Sequence, residues 1–171
     1  MDLQQFDQTS LYFDDPIPPG IEPLLLDAAA SYGEDAAEAL LLRAYFLAPE
    51  QLVVLVALYR YYFYQHRLED ALIVADRALD VVGRRLDLPA NWQQLHPDHI
   101  GHAVLRSMGL LRFYLMVLKA AGYIHMRMGN TEAGQAMLAK LVELDSHDRL
   151  GGKALLDVIV AAVAERISEA A

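Results

Sequence analysis

Cysteine is absent from all 171 residues. That removes disulfides, thiolate-bound zinc and Cys-ligated iron–sulfur clusters from consideration, and it fits a reducing compartment. Basic charge is nearly missing from the first third: residues 1–50 hold ten Asp/Glu against Arg43 alone, whereas the other 121 residues carry thirteen of each sign. The excess behind the net charge of −9 therefore sits at one end, which argues against nucleic acid or anionic lipid there. No basic run exceeds Arg84-Arg85. Long apolar runs are lacking too. The longest, Leu52–Tyr64, is interrupted by Arg60 and is too short to cross a bilayer. The opening Met1-Asp2-Leu3-Gln4-Gln5 lacks the basic-then-apolar layout of a signal peptide, so the expectation is a soluble, cytoplasmic protein with no membrane partner.

Catalytic signatures are missing as well. Ser10, Ser31, Ser107, Ser146 and Ser168 all lack a Gly-x-Ser-x-Gly setting. Gly151-Gly152-Lys153 has neither the glycine spacing nor the following Ser/Thr of a phosphate-binding loop. No enzyme activity and no cofactor are expected.

What the chain does have is apolar residues, 55% of the total, arranged at helical spacing. Residues 1–20 read as an irregular acidic arm, since Asp14-Asp15-Pro16-Ile17-Pro18-Pro19-Gly20 forbids regular helix. Inside it, Leu11-Tyr12-Phe13 is an apolar knot, either packed on the body as a lid or used to pair with another molecule. Beyond it everything reads as helix. The first runs from Glu22 to Gly33, with Pro23 in its first turn, and Glu34–Leu47 returns and stops at Pro49. Leu52–Gln65 and Leu68–Val82 form the next hairpin, closed by Gly83. Pro89, Asn91, Trp92 and Pro97 mark a loop. A long helical stretch spans about Asp98 to Met128 with a kink near Gly109. Gly129-Asn130 turns into Thr131–Leu144, Asp148–Gly152 is a hinge, and Lys153–Ile167 is a final helix.

Small residues recur within this pattern. Ala37 and Ala44 are followed 34 residues later by Ala71 and Ala78, and each pair lies on one helix face, where it admits a close neighbour. In the middle hairpin Leu55, Leu58, Tyr62, Leu68, Ala71, Ala75 and Ala78 resemble the core positions of a tetratricopeptide repeat (TPR). Ala37, Leu41, Ala44 and Pro49 match in the unit before it, and Leu118, Gly122, Gly129, Gly134, Leu138 and Leu141 in a third. The resemblance implies an all-α fold: residues 21–171 form a single TPR-like domain, a helical-hairpin solenoid of three hairpins with an insertion after the second and a C-terminal capping helix. Two features depart from the pattern. Tyr59 stands where the family has Gly or Ala, and Ala71 to Gly134 is 63 residues where 34 would be regular.

The string from Ala57 to Leu72, Ala57-Leu58-Tyr59-Arg60-Tyr61-Tyr62-Phe63-Tyr64-Gln65-His66-Arg67-Leu68-Glu69-Asp70-Ala71-Leu72, is similar to small TPR proteins encoded beside nitrogenase genes, the nitrogenase-associated factors. That resemblance implies binding to the nitrogenase molybdenum–iron protein, in assembly, protection or repair.

In such units the first helices line the concave face. The middle unit would present Val53, Val56, Arg60, Phe63 and Tyr64, and the third Met116, Lys119, Tyr123, Met126 and Arg127. Aromatic and Met side chains supply buried area, while the cations grip carboxylates. The expected function is non-catalytic protein binding. A type III secretion chaperone holding an extended peptide is an alternative, and a homodimer remains open. His99, His102 and Asp98 are the weak metal candidates, and a metal-dependent enzyme built on them is the remaining alternative. His-Glu-x-x-His is absent, so capping near a helix start is the preferred role for this cluster, and no metal is expected.

Overall fold

The computed structural model describes residues 15–169 and the surroundings of side chains as far as residue 162. The expected arm thus falls outside the described residues except for 15–20, and the Leu11-Tyr12-Phe13 knot falls wholly outside them. Among the described residues are eight α-helices, one short 3-10 turn and no strand. No helix among them is long and apolar enough to cross a membrane. The chain forms two compact units that divide between Val81 and Val82.

In the first unit, Gly20 adopts φ 88° and leads into α1 (Ile21–Ala30), which buries Ile21, Leu25 and Ala28 along one stripe. Gly33, at φ 97°, turns the chain into α2 (Asp35–Leu47). That helix packs on α1 through Ala37, Leu41 and Ala44. Both alanines are fully buried, as their spacing implied. Pro49 ends the hairpin, and α3 (Leu52–Tyr64) packs on α2. Its buried arc is wide: Leu52, Val54, Leu55, Ala57, Leu58, Tyr61 and Tyr62.

The turn after α3 closes without glycine. His66 takes φ 59°, its amide reaches Phe63 O, and the Arg67 amide reaches Tyr62 O. This paired closure satisfies the last carbonyls of the helix, with a left-handed residue in the slot usually given to glycine. The next helix, α4 (Leu68–Leu86), buries Ala71, Ala75 and Ala78. It does not stop at Gly83, as the sequence suggested. Gly83 is buried and sits 3.6 Å, by its projected Cβ, from the Tyr114 ring. The stop is the same closure as after α3: Asp87 at φ 61°, with its amide on Arg84 O and the Leu88 amide on Gly83 O.

The second unit begins with a connection that is anchored at both ends. Leu88 and Leu95 are buried on either side of the 3-10 turn Trp92–Gln94. Lys140 donates to Leu95 O at 3.0 Å and pairs with Glu143 at 2.7 Å. Pro97 occupies the first position of α5 (Pro97–Arg106), where its missing amide costs nothing. The long stretch then breaks at Ser107, two residues before the expected kink at Gly109. Ser107 is extended (φ −163°), and its Oγ accepts from the Leu110 amide, capping α6 (Met108–Arg127). The cap outweighs the glycine because it satisfies an otherwise orphan amide.

Helix α6 meets α7 (Thr131–Leu144) almost backbone to backbone. A Cβ added at Gly134 would lie 2.8 Å from Gly122 O and 2.7 Å from Met126 Cγ; one at Gly122 would lie 3.0 Å from Leu138 Cγ. Leu118, Ala121, Ile124, Leu138 and Leu141 fill the remaining seam. Gly129, at φ 82°, makes the turn between them. The last helix, α8 (Gly152–Glu169), packs on α7, with Gly152 against Leu141 and Ile159 buried.

Two glycines make opposite predictions. Gly134→Ala drives a methyl into a carbonyl that cannot move, and a cost of about 1–3 kcal/mol is expected. Gly101, in α5, has nothing within 4 Å of its projected Cβ, so Gly101→Ala stabilises by about 0.5–1 kcal/mol through helix propensity alone. Urea titration of both variants checks the contrast.

Candidate functional site

Val53, Val56, Arg60, Phe63 and Tyr64 share one side of α3, opposite the side that buries Leu58 and Tyr62. The first four are half-buried and Tyr64 is exposed. Phe63 stacks on Tyr59 (5.9 Å, 16°) and meets Tyr64 edge-on at 5.5 Å. Ring contacts of this kind stiffen an aromatic surface. Tyr61 turns inward. It is 8% exposed and packs edge-on against Tyr32 at 6.1 Å and Tyr62 at 5.6 Å.

Beneath the C-terminal end of this surface lies a charged clasp. The Tyr62 hydroxyl donates to Glu38 Oε1 at 3.2 Å, and Arg67 donates to Glu38 Oε2 at 2.6 Å and to Asp70 Oδ2 at 2.7 Å. The Arg67 guanidinium also lies over the Tyr62 ring, 4.6 Å from its centre. One arginine thus joins α2, the end of α3 and the start of α4. Burial, and then the Glu38 carboxylate, push the Tyr62 phenol up to about 12. In the second unit burial alone pushes Tyr114 up to about 12.

On α6 the five singled-out residues part company. Met116 is exposed. Arg127 is exposed and donates to the Tyr123 hydroxyl at 3.3 Å, its guanidinium 5.9 Å from that ring's centre. Met126 is half-buried against Gly134 on α7, so it serves the helix seam. Lys119 sends its ammonium to Leu150 O in the turn before α8. That turn is itself closed by Asp145 Oδ2, which accepts from the Leu150 amide at 2.8 Å, and by Asp148 Oδ1, which accepts from the Lys153 amide at 2.9 Å. Lys119 is a latch for α8.

The histidines gather at the start of α5. His99 Nδ1 accepts from the His96 amide at 3.1 Å, His102 Nδ1 faces Asp98 O at 3.0 Å, and the His96 and His99 rings stack with centres 6.0 Å apart. Two imidazole nitrogens are thereby spent on backbone groups. Among the described residues no group of three or more His, Asp or Glu side chains is placed to hold a metal ion.

Sequence reasoning passed over several outward apolar residues. Leu42 and Phe46 lie one turn apart on α2, and Phe46 is 85% exposed. Leu105, equally exposed, and Met108 flank the break at Ser107. The signal for the first pair was present in the run Leu40-Leu41-Leu42, which is too apolar for a helix with a single buried face.

With the geometry in place, comparison with known proteins finds one informative relative. The chain is 53% identical over 165 residues to an Azotobacter chroococcum mcd 1 protein described as an uncharacterized 19.8 kDa protein in the nifW 5' region; the match covers 96% of this chain and 92% of that one. No protein-family model and no solved structure matches.

Two measurements follow from these contacts. The Tyr62 and Tyr114 phenols hold their protons to higher pH in the folded chain than in the unfolded one. Their stabilisation is fully present below pH 10.0 and is lost as pH rises through about 12. Tyr62→Phe and Tyr114→Phe together flatten the fall in urea midpoint across that window. Lys119→Met costs about 1–2 kcal/mol by leaving Leu150 O without its charged donor, and proteolysis checks it through faster cleavage between α7 and α8.

Proposed function

We propose that this chain, which belongs to the family of the 19.8 kDa protein of the Azotobacter chroococcum nifW 5' region, is a non-catalytic, cytoplasmic protein-binding module that serves nitrogen fixation. Its helices stack as a TPR-like solenoid, and its partner is the nitrogenase molybdenum–iron protein or an assembly or repair intermediate of it. The relative's place beside nifW supports the process. The small residues buried between successive helices support the solenoid: Ala37 and Ala44 in α2, Gly122 and Gly134 between α6 and α7.

The observation that carries a binding role is the outer side of α3. Five side chains there, two of them aromatic and one a cation, lie on a regular helix whose opposite side is fully packed. A surface pre-formed in this way loses little conformational freedom on docking, so more of the contact energy appears as affinity. Arg60 supplies directional hydrogen bonding to carboxylates or carbonyls, and Phe63 and Tyr64 supply apolar area at low entropic cost. Met116, Tyr123 and Arg127 on α6 repeat the same chemistry. Chemistry on a substrate is not part of the reading.

Purified molybdenum–iron protein, handled anaerobically and titrated against the immobilised chain, tests the assignment. Binding is expected, and Arg60→Ala/Tyr64→Ala should weaken it by about tenfold or more. Absence of binding by the parent chain would sink the partner; unaltered binding by the double variant would sink the surface.

A further inference from the structure

Helix α2 buries Ala37, Leu41 and Ala44 on one side and turns Asp35, Ala36, Ala39, Leu42, Arg43 and Phe46 to the other, all six exposed. This outward side carries apolar surface that its own unit leaves uncovered: Leu42 is 45% and Phe46 85% exposed. Asp35, Ala39 and Arg43 stand four residues apart, so they form one row along the helix surface, and Leu42 and Phe46 form the row beside it.

The first row is complementary to itself. Asp35 lies one turn before Ala39 and Arg43 one turn after it, so reversing the row exchanges acid for base and leaves the alanine in place. The two charges are about 12 Å apart along the axis, too far to meet within one helix. Neither takes part in the ion pairs of the described residues. Arg43 is also the sole Lys or Arg of residues 1–50, among ten Asp and Glu. Two copies brought together through this acidic end repel one another unless that base meets an acid.

We infer that two copies of the chain associate through the outer side of α2 as an isologous dimer, the helices crossing antiparallel about a two-fold axis at Ala39. By symmetry the axis places Asp35 of each copy beside Arg43 of the other, giving two ion pairs. A crossing of about −50° lays the i, i+4 rows of two helices alongside each other, and the alanines at the centre let the backbones approach. Leu42 and Phe46 flank the seam and reach toward the start of α2 in the second copy. Charge complementarity is what selects a second copy as the occupant. A protein of other sequence would have to present the same acid, small residue and base at the same spacing, whereas this chain supplies them to itself.

Size sets the strength of the association. A stable dimer buries about 800 Å² on each partner. Phe46, at 85% exposure, contributes about 170 Å² of apolar surface, and one helix face supplies only part of the whole. Dissociation in the micromolar range is therefore expected. The association is independent of the partner proposed above, and its test uses the chain alone.

Sedimentation velocity of the full chain from about 1 to 200 μM should show a monomer–dimer equilibrium. A monomer at every concentration overturns the inference. Asp35→Arg sets base against base and Arg43→Asp sets acid against acid, so either variant alone should dissociate about tenfold or more readily. Mixed in equal amounts, the two variants regain both opposite-charge contacts in a heterodimer, and dimerisation should return to the parental strength. Single variants as dimeric as the parent overturn the surface, and a mixture no better than its components overturns the pairing of Asp35 with Arg43.

A second measurement leaves both charges in place. Because the chain has no cysteine, Ala39→Cys introduces a lone thiol on the proposed two-fold axis. Mild oxidation should link two copies about tenfold faster than in Gly101→Cys, whose site is exposed on α5. Equal rates overturn the antiparallel crossing at Ala39, whatever the charge variants do.

Discussion

The contact on which the second unit depends is the approach of two helix backbones at Gly122 and Gly134. Helix pairs normally stand 8–10 Å apart because side chains hold them there. Here the carbonyl of Gly122 faces a position on α7 where even a methyl group would lie within 2.8 Å. Everything beyond follows from that closeness. Leu118, Ile124, Leu138 and Leu141 can interlock only at this separation. Lys119 and Lys140 reach the connections at either end of the unit from the same two helices. The first unit solves the corresponding problem with alanines, Ala37 and Ala44 in α2, and adds the Arg67 clasp to Glu38 and Asp70.

The clasp and the aromatic surface illustrate a division of labour within α3. Its buried arc is unusually broad and takes in Tyr61 and Tyr62, so two of the five aromatic residues between 59 and 64 belong to the fold. The others face outward on a helix that cannot shift without breaking the Tyr62–Glu38–Arg67 triangle. An outward face on such a support has defined geometry from the outset.

How much of this could be read from residues alone depended on whether the deciding interaction was local. Helices bounded by proline or by glycine in a left-handed turn came out as expected: α2 stops before Pro49, and α6 gives way to α7 at Gly129. The end of α4 was misplaced because Asp87 takes the left-handed slot, and a buried Gly83 serves packing instead. The break before α6 was misplaced by two residues because a serine cap is a weaker signal than a glycine. Among the singled-out surface residues, the course of Val53, Val56 and Arg60 followed from periodicity. Lys119 and Met126 did not, because their partners lie in the 145–151 turn and on α7, contacts no spacing rule announces.

The packing within each unit joins mainly helices that are neighbours in the chain: α1 with α2, α2 with α3, α5 with α6, α6 with α7 and α7 with α8, with α5 also touching α7. Each helix therefore finds its mate within a few tens of residues, and the loop that must close before the contact forms is short. Chains of this topology collapse quickly, because little entropy is spent before native contacts begin to return it. The same property allows folding during synthesis. Once α2 has emerged behind α1 a packed hairpin exists, and α3 adds to a surface already in place.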